Sequence, residues 1–483
     1  MKRNVILLLM LTCCLSFVFA NRSARNARTQ TGYKIDIDAP QLRNQTVYLG
    51  MYFSGRLFAR DTALLDNRGR GSFQKNTPLH EGMYAIYFLN NTRVIDILIS
   101  DEQRFRVQID TTDLVNNVFI TGAEQSKAFQ NYVKFISSQR AEVERISQQF
   151  EAALTGEDSI QAQEERQEKI AAIDRAVRAY QENIVQMYGN KTLGVIMRAL
   201  MPVEIPEVTA ENDSIRQQKE YLLNRKHFFD NINLSDPRLL HTAFLPQKID
   251  FFMQRMVPQI PDTITTEAVR LIEKSKGDTL TFRNMLTNML NLAVRSNMMG
   301  MDRLTLTLAR DYFLAGKAPW ADSTLLANLE REVRRVQHNQ IGALAPNLRA
   351  ETLDGRMINL HDLPQDYILL YFFEPSCGHC RREMPRLYQE LYQKFRENNF
   401  LGVFAFYSHI DRDEWTNFID EHGMHSWTNV WDPRRTSNFW YFYDATVTPS
   451  LYLLNRERKI IAKKISLETL DMILEAEKRR NQQ

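Results

Sequence analysis

Cysteine is scarce, with four residues in a chain of 483. They stand as two close pairs, Cys13/Cys14 and Cys377/Cys380. This excludes the dense disulfide framework by which small exported domains compensate for a thin core. Charge of one sign is also missing, because 61 Lys and Arg face 58 Asp and Glu. A net charge of +3 creates no global basic field, so nucleic acid is not an expected partner. With 18 Gly, 15 Pro, 44% hydrophobic and 25% charged residues, the chain is neither collagen-like nor low-complexity nor wholly disordered. It is too long for one core, and several domains are expected.

Long apolar runs are confined to the start. Lys2 and Arg3 precede an uninterrupted Val5–Leu11 stretch, and Val18-Phe19-Ala20 offers a small residue at a cleavage position. Residues 1–20 therefore read as a secretory signal, with a mature start at Asn21. Only 17 residues separate Arg3 from Asn21, short of the roughly 20 that span a bilayer. Lipid attachment at Cys13 or Cys14 is a weaker rival, because Thr12 or Cys13 stands where a lipoprotein signal has Gly or Ala. The mature chain is then exported to a periplasm or cell envelope, has no membrane span, and keeps one cysteine pair.

Residues 31–115 read as β. Tyr33, Ile35 and Ile37 alternate with polar residues, and the runs Met83–Leu89, Val94–Ile99 and Phe105–Ile109 follow between turn signals. Short strands at this spacing suggest an antiparallel β-sandwich serving as a binding or spacer domain. Residues 121–338 read as all-α. Thr121-x-x-Glu124 fits a capping box that opens the first helix. Two apolar seams follow, Phe129, Tyr132, Ile136, Val143, Ile146, Phe150 and then Ile170, Ile173, Val177, Tyr180, Ile184, Met187. With a break at Leu154-Thr155-Gly156 between them, they suggest a helical hairpin, and a homo-oligomer through this region is an alternative. Met285, Met289, Met298, Met299 and Met301 have the softness for Cu(I), but their spacing with Leu286 and Leu290 fits a packed helix face.

Residues 341–483 change to an α/β alternation. Tyr367–Phe373 is a continuous apolar run, as expected of a strand covered on both faces. Directly after it comes Cys377-Gly378-His379-Cys380, placed to open a helix. Cys377 at a helix N-terminus gains a lowered pKa and becomes the nucleophile, while Cys380, one turn in, resolves the mixed disulfide. Gly378 leaves room for another polypeptide, and His379 is placed to stabilise the thiolate. Arg381 stands where haem attachment needs His, and no second cysteine pair remains for a structural zinc. A copper site formed by the pair with His409, His422 or His425 is the rival from another class, as is a scaffold or chaperone with a vestigial redox site.

The surroundings resemble a known family. Gly342-x-x-Ala345-Pro346-Asn347, Asp354-Gly355, the strand before Ser376-Cys377-Gly378-His379-Cys380, Pro385, and Val447-Thr448-Pro449-Ser450 look like the TlpA/ResA branch of the thioredoxin superfamily. The resemblance implies a thioredoxin-like α/β fold, a Cys377–Cys380 redox disulfide, and a cis-Pro449 whose loop, with Thr448, shapes the substrate groove. It also implies partner-protein thiols or disulfides as substrates, an upstream redox partner, no bound cofactor or metal, and reduction more than oxidation. The tetrapeptide itself is that of disulfide isomerases and pulls the other way, but no ER-retention tetrapeptide closes the chain. Where thioredoxins carry a buried acid, Tyr371 stands, which leaves Glu374 as the nearest acidic candidate for proton transfer. More loosely, His227-Phe228-Phe229-Asp230 and Lys317-Ala318-Pro319-Trp320 resemble the helical middle of multidomain exported bacterial proteins.

Overall fold

The structure is a computed structural model that describes residues 32–88, 91–151 and 159–481. The signal segment with Cys13 and Cys14, and the 154–156 break, lie outside them. Two compact units divide the chain, one ending at Phe252 and the other running from Met253 to Gln483. Among the described residues, no helix is long and apolar enough to cross a membrane.

In the first unit, strands β1 (Tyr33–Asp38), β4 (Arg70–Lys75), β7 (Arg104–Ile109) and β8 (Val118–Thr121) form one sheet in the order β4-β1-β7-β8. Strands β2 (Thr46–Phe53), β3 (Arg56–Leu64), β5 (Gly82–Phe88) and β6 (Asn91–Ile99) form the other, in the order β3-β2-β5-β6. Alternation sends Ile35, Ile37, Val47, Leu49, Ile86, Ile97 and Val107 into one shared core. The expected antiparallel pairing fails at one point: β1 and β7 run parallel, with Ile35 opposite Phe105.

The helices Glu124–Glu151 and Ser159–Tyr188 follow. Phe135 stacks on Tyr180 at 4.5 Å, and Gln181 donates to the Tyr132 hydroxyl at 2.8 Å. Met187, expected on the seam, is exposed. The expected capping box does not form either. Thr121 ends β8, and the N–H of Gln125 donates instead to the Glu102 carboxylate at 3.2 Å. A distant acid thus satisfies one of the donors that the first turn leaves open.

The second unit opens with helices Pro261–Lys274, Thr279–Arg295, Asp302–Leu308 and Ser323–Val336. Met285 and Met289 are buried in the second of these beside Leu286 and Leu290. A seven-stranded sheet follows, built from β9 (Arg349–Thr352), β10 (Met357–Asn359), β11 (Tyr367–Phe373), β12 (Leu401–Tyr407), β13 (Thr428–Trp431), β14 (Ser450–Leu454) and β15 (Ile460–Lys463). Its order is β10-β9-β13-β12-β11-β14-β15, with β11, β12 and β13 parallel and β14 antiparallel to β11. Every residue of β11 is buried, because both sheet faces are covered. Tyr367, Leu369, Tyr371 and Phe373 enter one core with Cys380 and Met384, while Ile368, Leu370 and Phe372 enter the other.

Candidate active site

Strand β11 ends at Phe373, and the chain turns through Glu374-Pro375-Ser376 into the helix Gly378–Arg386. The turn closes by the Cys377 N–H donating to the Glu374 carbonyl at 3.1 Å. Arg381 braces it from within the helix, its Nε donating to the Pro375 carbonyl at 2.7 Å. Cys377 is the N-cap residue, with extended backbone, so its sulfur sits at the positive end of the helix. The helix carries Pro385 and widens just beyond it, through Leu387–Tyr392, into a π-type turn.

The loop before β14 lies opposite. Its Thr448–Pro449 peptide is cis, and the Cys377 thiol donates to the Thr448 carbonyl at 3.1 Å. The two cysteines therefore differ in environment. Cys377 is half-buried and Cys380 is fully buried. Burial alone would raise the Cys377 pKa. The N–H of Cys380, the Thr448 side chain, the Cys380 thiol and the N–H of His379 outweigh it, and the net direction is downward. For Cys380, burial dominates. The Glu374 backbone opposes it, the Cys377 sulfur adds to it, and the thiol is pushed up to about 12.

The remaining expected residues fall unevenly around this pair. A Cβ on Gly378 would meet only Arg382 Nη1 at 3.6 Å, so no fold contact demands glycine there. The His379 ring is exposed and accepts at Nδ1 from Arg382 at 2.9 Å, so its backbone rather than its side chain supports the sulfur. The Glu374 carboxylate accepts from the Ser408 hydroxyl at 3.2 Å. Glu374 reaches the pair through its main chain, whose carbonyl accepts from the Cys377 N–H. The histidines of the metal alternative have other company: Tyr407 beside His409, Phe418 against His422, and Asp420 paired with His425.

Asp444 escaped sequence reasoning, since nothing near it in the chain marks a lone acid as special. Its carboxylate is 4% exposed and accepts from Arg335 Nη1 at 2.8 Å, from Lys464 Nζ, and from the Thr446 hydroxyl at 2.9 Å. Its carbonyl accepts from Ser450 at 2.7 Å. Burial opposes its ionisation, but Lys464 and Arg335 prevail and hold the carboxyl below its usual range. Asp444 thus ties the segment leading to Pro449 to the helix Ser323–Val336 and to the residue after β15. Beside it, buried Lys463 donates to Asp302 at 2.5 Å and to the Asn339 carbonyl at 2.8 Å.

A cysteine pair at a strand-to-helix turn, facing a cis-proline loop on a mixed sheet, defines a thioredoxin-like domain. Residues 341–463 match the model of the AhpC/TSA family. Over 138 residues the chain is 27% identical to the thiol-disulfide oxidoreductase ResA of Bacillus thuringiensis strain Al Hakam, covering 28% of this chain and 75% of that protein. ResA of Bacillus anthracis matches to the same extent. The C-terminal domain is TlpA/ResA-like, and the chain is by class a thiol-disulfide oxidoreductase. Among solved structures, a thioredoxin-like protein from Bacteroides caccae is 21% identical, covering 57% of this chain and 98% of that one, with a TM-score of 0.43. A domain of a possible thiol-disulfide isomerase from Cytophaga hutchinsonii is 34% identical, covering 30% of this chain and 97% of that one, with a TM-score of 0.27.

Proposed function

We propose that the protein is exported and exchanges disulfides with partner proteins through Cys377 and Cys380, reducing them in its main direction. The observation that carries this reading is the opposite polarisation of two sulfurs on one helical turn. Cys377, accessible and acidified, attacks the partner disulfide. Cys380, buried and held protonated, waits until the mixed disulfide exists and then displaces the partner. Thr448 and Pro449 form the groove wall against which the partner strand lies, Gly378 leaves the approach open, and Glu374 shapes the turn. The Cys377–Cys380 disulfide stores the two electrons, so no bound cofactor is needed, and an upstream dithiol restores the reduced form. The N-terminal sheets act as a β-sandwich and the two long helices as a hairpin, together spacing the redox domain or presenting partners. Residues 1–20 direct export and leave with Cys13 and Cys14.

Replacing Cys380 by Ala tests this. The variant should accumulate a stable mixed disulfide between Cys377 and defined envelope proteins, released by reductant. If no such adduct forms when cells carrying the variant are acid-quenched and alkylated, the exchange reading fails.

A further inference from the structure

Tyr371 stands in the middle of β11, on the face that packs against Cys380. Its side chain is 1% exposed, and its hydroxyl has no hydrogen-bond partner among the described residues. Cys380 lies in the same buried core, and Cys377 packs against it. A buried hydroxyl without a partner is destabilising, and phenylalanine would fill the same space without that cost. Other buried polar atoms of this unit also lack partners, among them Trp415 Nε1 and Trp427 Nε1. But Trp415 stacks on Tyr407 and Trp431, and Trp427 lies against Tyr388 and Tyr392, whereas Tyr371 stands on the strand that leads into the cysteine turn and faces the core that holds Cys380. Such an exception calls for an explanation, and a donor idle in the resting state but used during the reaction supplies one.

The geometry points to Tyr371 as the buried hydrogen-bond donor that stabilises the Cys380 thiolate while it resolves the mixed disulfide. This rests on the exchange proposed above. In that step the Cys380 thiolate attacks Cys377 Sγ, the Cys377–Cys380 bond forms, and the bond between Cys377 and the partner breaks. The partner sulfur leaves with the electron pair, and over the full cycle the two thiol protons of the pair end on the two thiols of the reduced partner. Tyr371 keeps its own proton throughout, since burial, first, and the neighbouring anionic groups hold the phenol far above its ordinary range. It lends a hydrogen bond to an anion that would otherwise form in an apolar core.

The test uses the full chain with Cys13→Ser and Cys14→Ser, so that only the pair reports, and 5,5′-dithiobis(2-nitrobenzoate) as the probe. Cys377 attack releases the first thionitrobenzoate, and Cys380 resolution releases the second. Tyr371→Phe should leave the first phase unchanged, slow the second by about tenfold or more, and give a melting temperature no lower than the parent's. Replacing Tyr371 by 3-fluorotyrosine, a stronger donor of nearly the same shape, should speed the second phase. A structural role alone predicts lower stability and no such pair of opposite effects. An unchanged second phase in Tyr371→Phe overturns the inference, as does a slower or unchanged one with fluorotyrosine should the Phe variant not fold. A parent that shows no second release instead refutes the dithiol exchange itself, so the two failures are distinct.

Discussion

Alkylation of the reduced protein at pH 7 should be selective for Cys377, by an amount that follows from the two environments. Burial first, with the neighbouring Cys377 sulfur, holds Cys380 at about 12 against an ordinary 9.0. Its thiolate fraction at pH 7 is then about 10⁻⁵, whereas Cys377, held below 9.0, exceeds about 10⁻². The higher-pKa thiolate is the better nucleophile, and a Brønsted slope of about 0.5 returns about 1.5 of those three log units. A preference of at least about 30-fold remains before access is considered. Full burial of Cys380 widens it further. The assay is timed quenching with iodoacetamide and peptide mapping by mass spectrometry over a series of pH values. In Cys377→Ala the half-reaction pH of Cys380 should fall, because two raising contributions go, yet stay above 9.0, because burial is the largest cause. Comparable rates at the two cysteines, or a Cys380 half-point at 9.0 in the parent, would refute the reasoning.

Two further outcomes follow from the same geometry. Because Cys380 titrates at about 12 when folded and near 9.0 when unfolded, its stabilising contribution is complete below pH 9 and is lost as pH rises towards 12. The oxidised protein has no such proton, so urea midpoints of the reduced form should fall more steeply across that window than those of the oxidised form. Asp444→Ala removes the anchor of the Pro449 loop and should cost about 2 kcal/mol in urea unfolding, below the 3–5 typical of fully buried pairs. The reason for the discount is that Arg335 and Lys464 are 39% and 45% exposed and can turn to water. An unchanged midpoint would mean that the anchor is slack.

What the sequence made legible was whatever rests on a local pattern. The run Tyr367–Phe373 announces a doubly covered strand, and the pair at its end announces the turn and the helix. Features set by distant partners were not legible. Strand β3 has a largely exposed side-chain pattern, and β13 is only four residues long, so neither carries a periodic signal. The parallel pairing of β1 with β7 is a matter of topology that no residue of either strand records. The cap at Glu124 was misassigned because Glu102 lies far away in sequence. The same holds at the site. Glu374 draws attention because it is close in the chain, whereas Tyr371, which shares the buried core with Cys380, reads as one more apolar residue of a buried strand.

The proposed exchange requires Cys377 and Cys380 to form one reversible two-electron couple. Equilibrating the protein in glutathione buffers of graded potential, then alkylating and mapping both peptides by mass spectrometry, tests it most directly. Both thiols should disappear together in a single transition, with a tenfold change in ratio for about every 30 mV. Two separate transitions, a slope of about 59 mV, or glutathione adducts on Cys377 that Cys380 never displaces would contradict it.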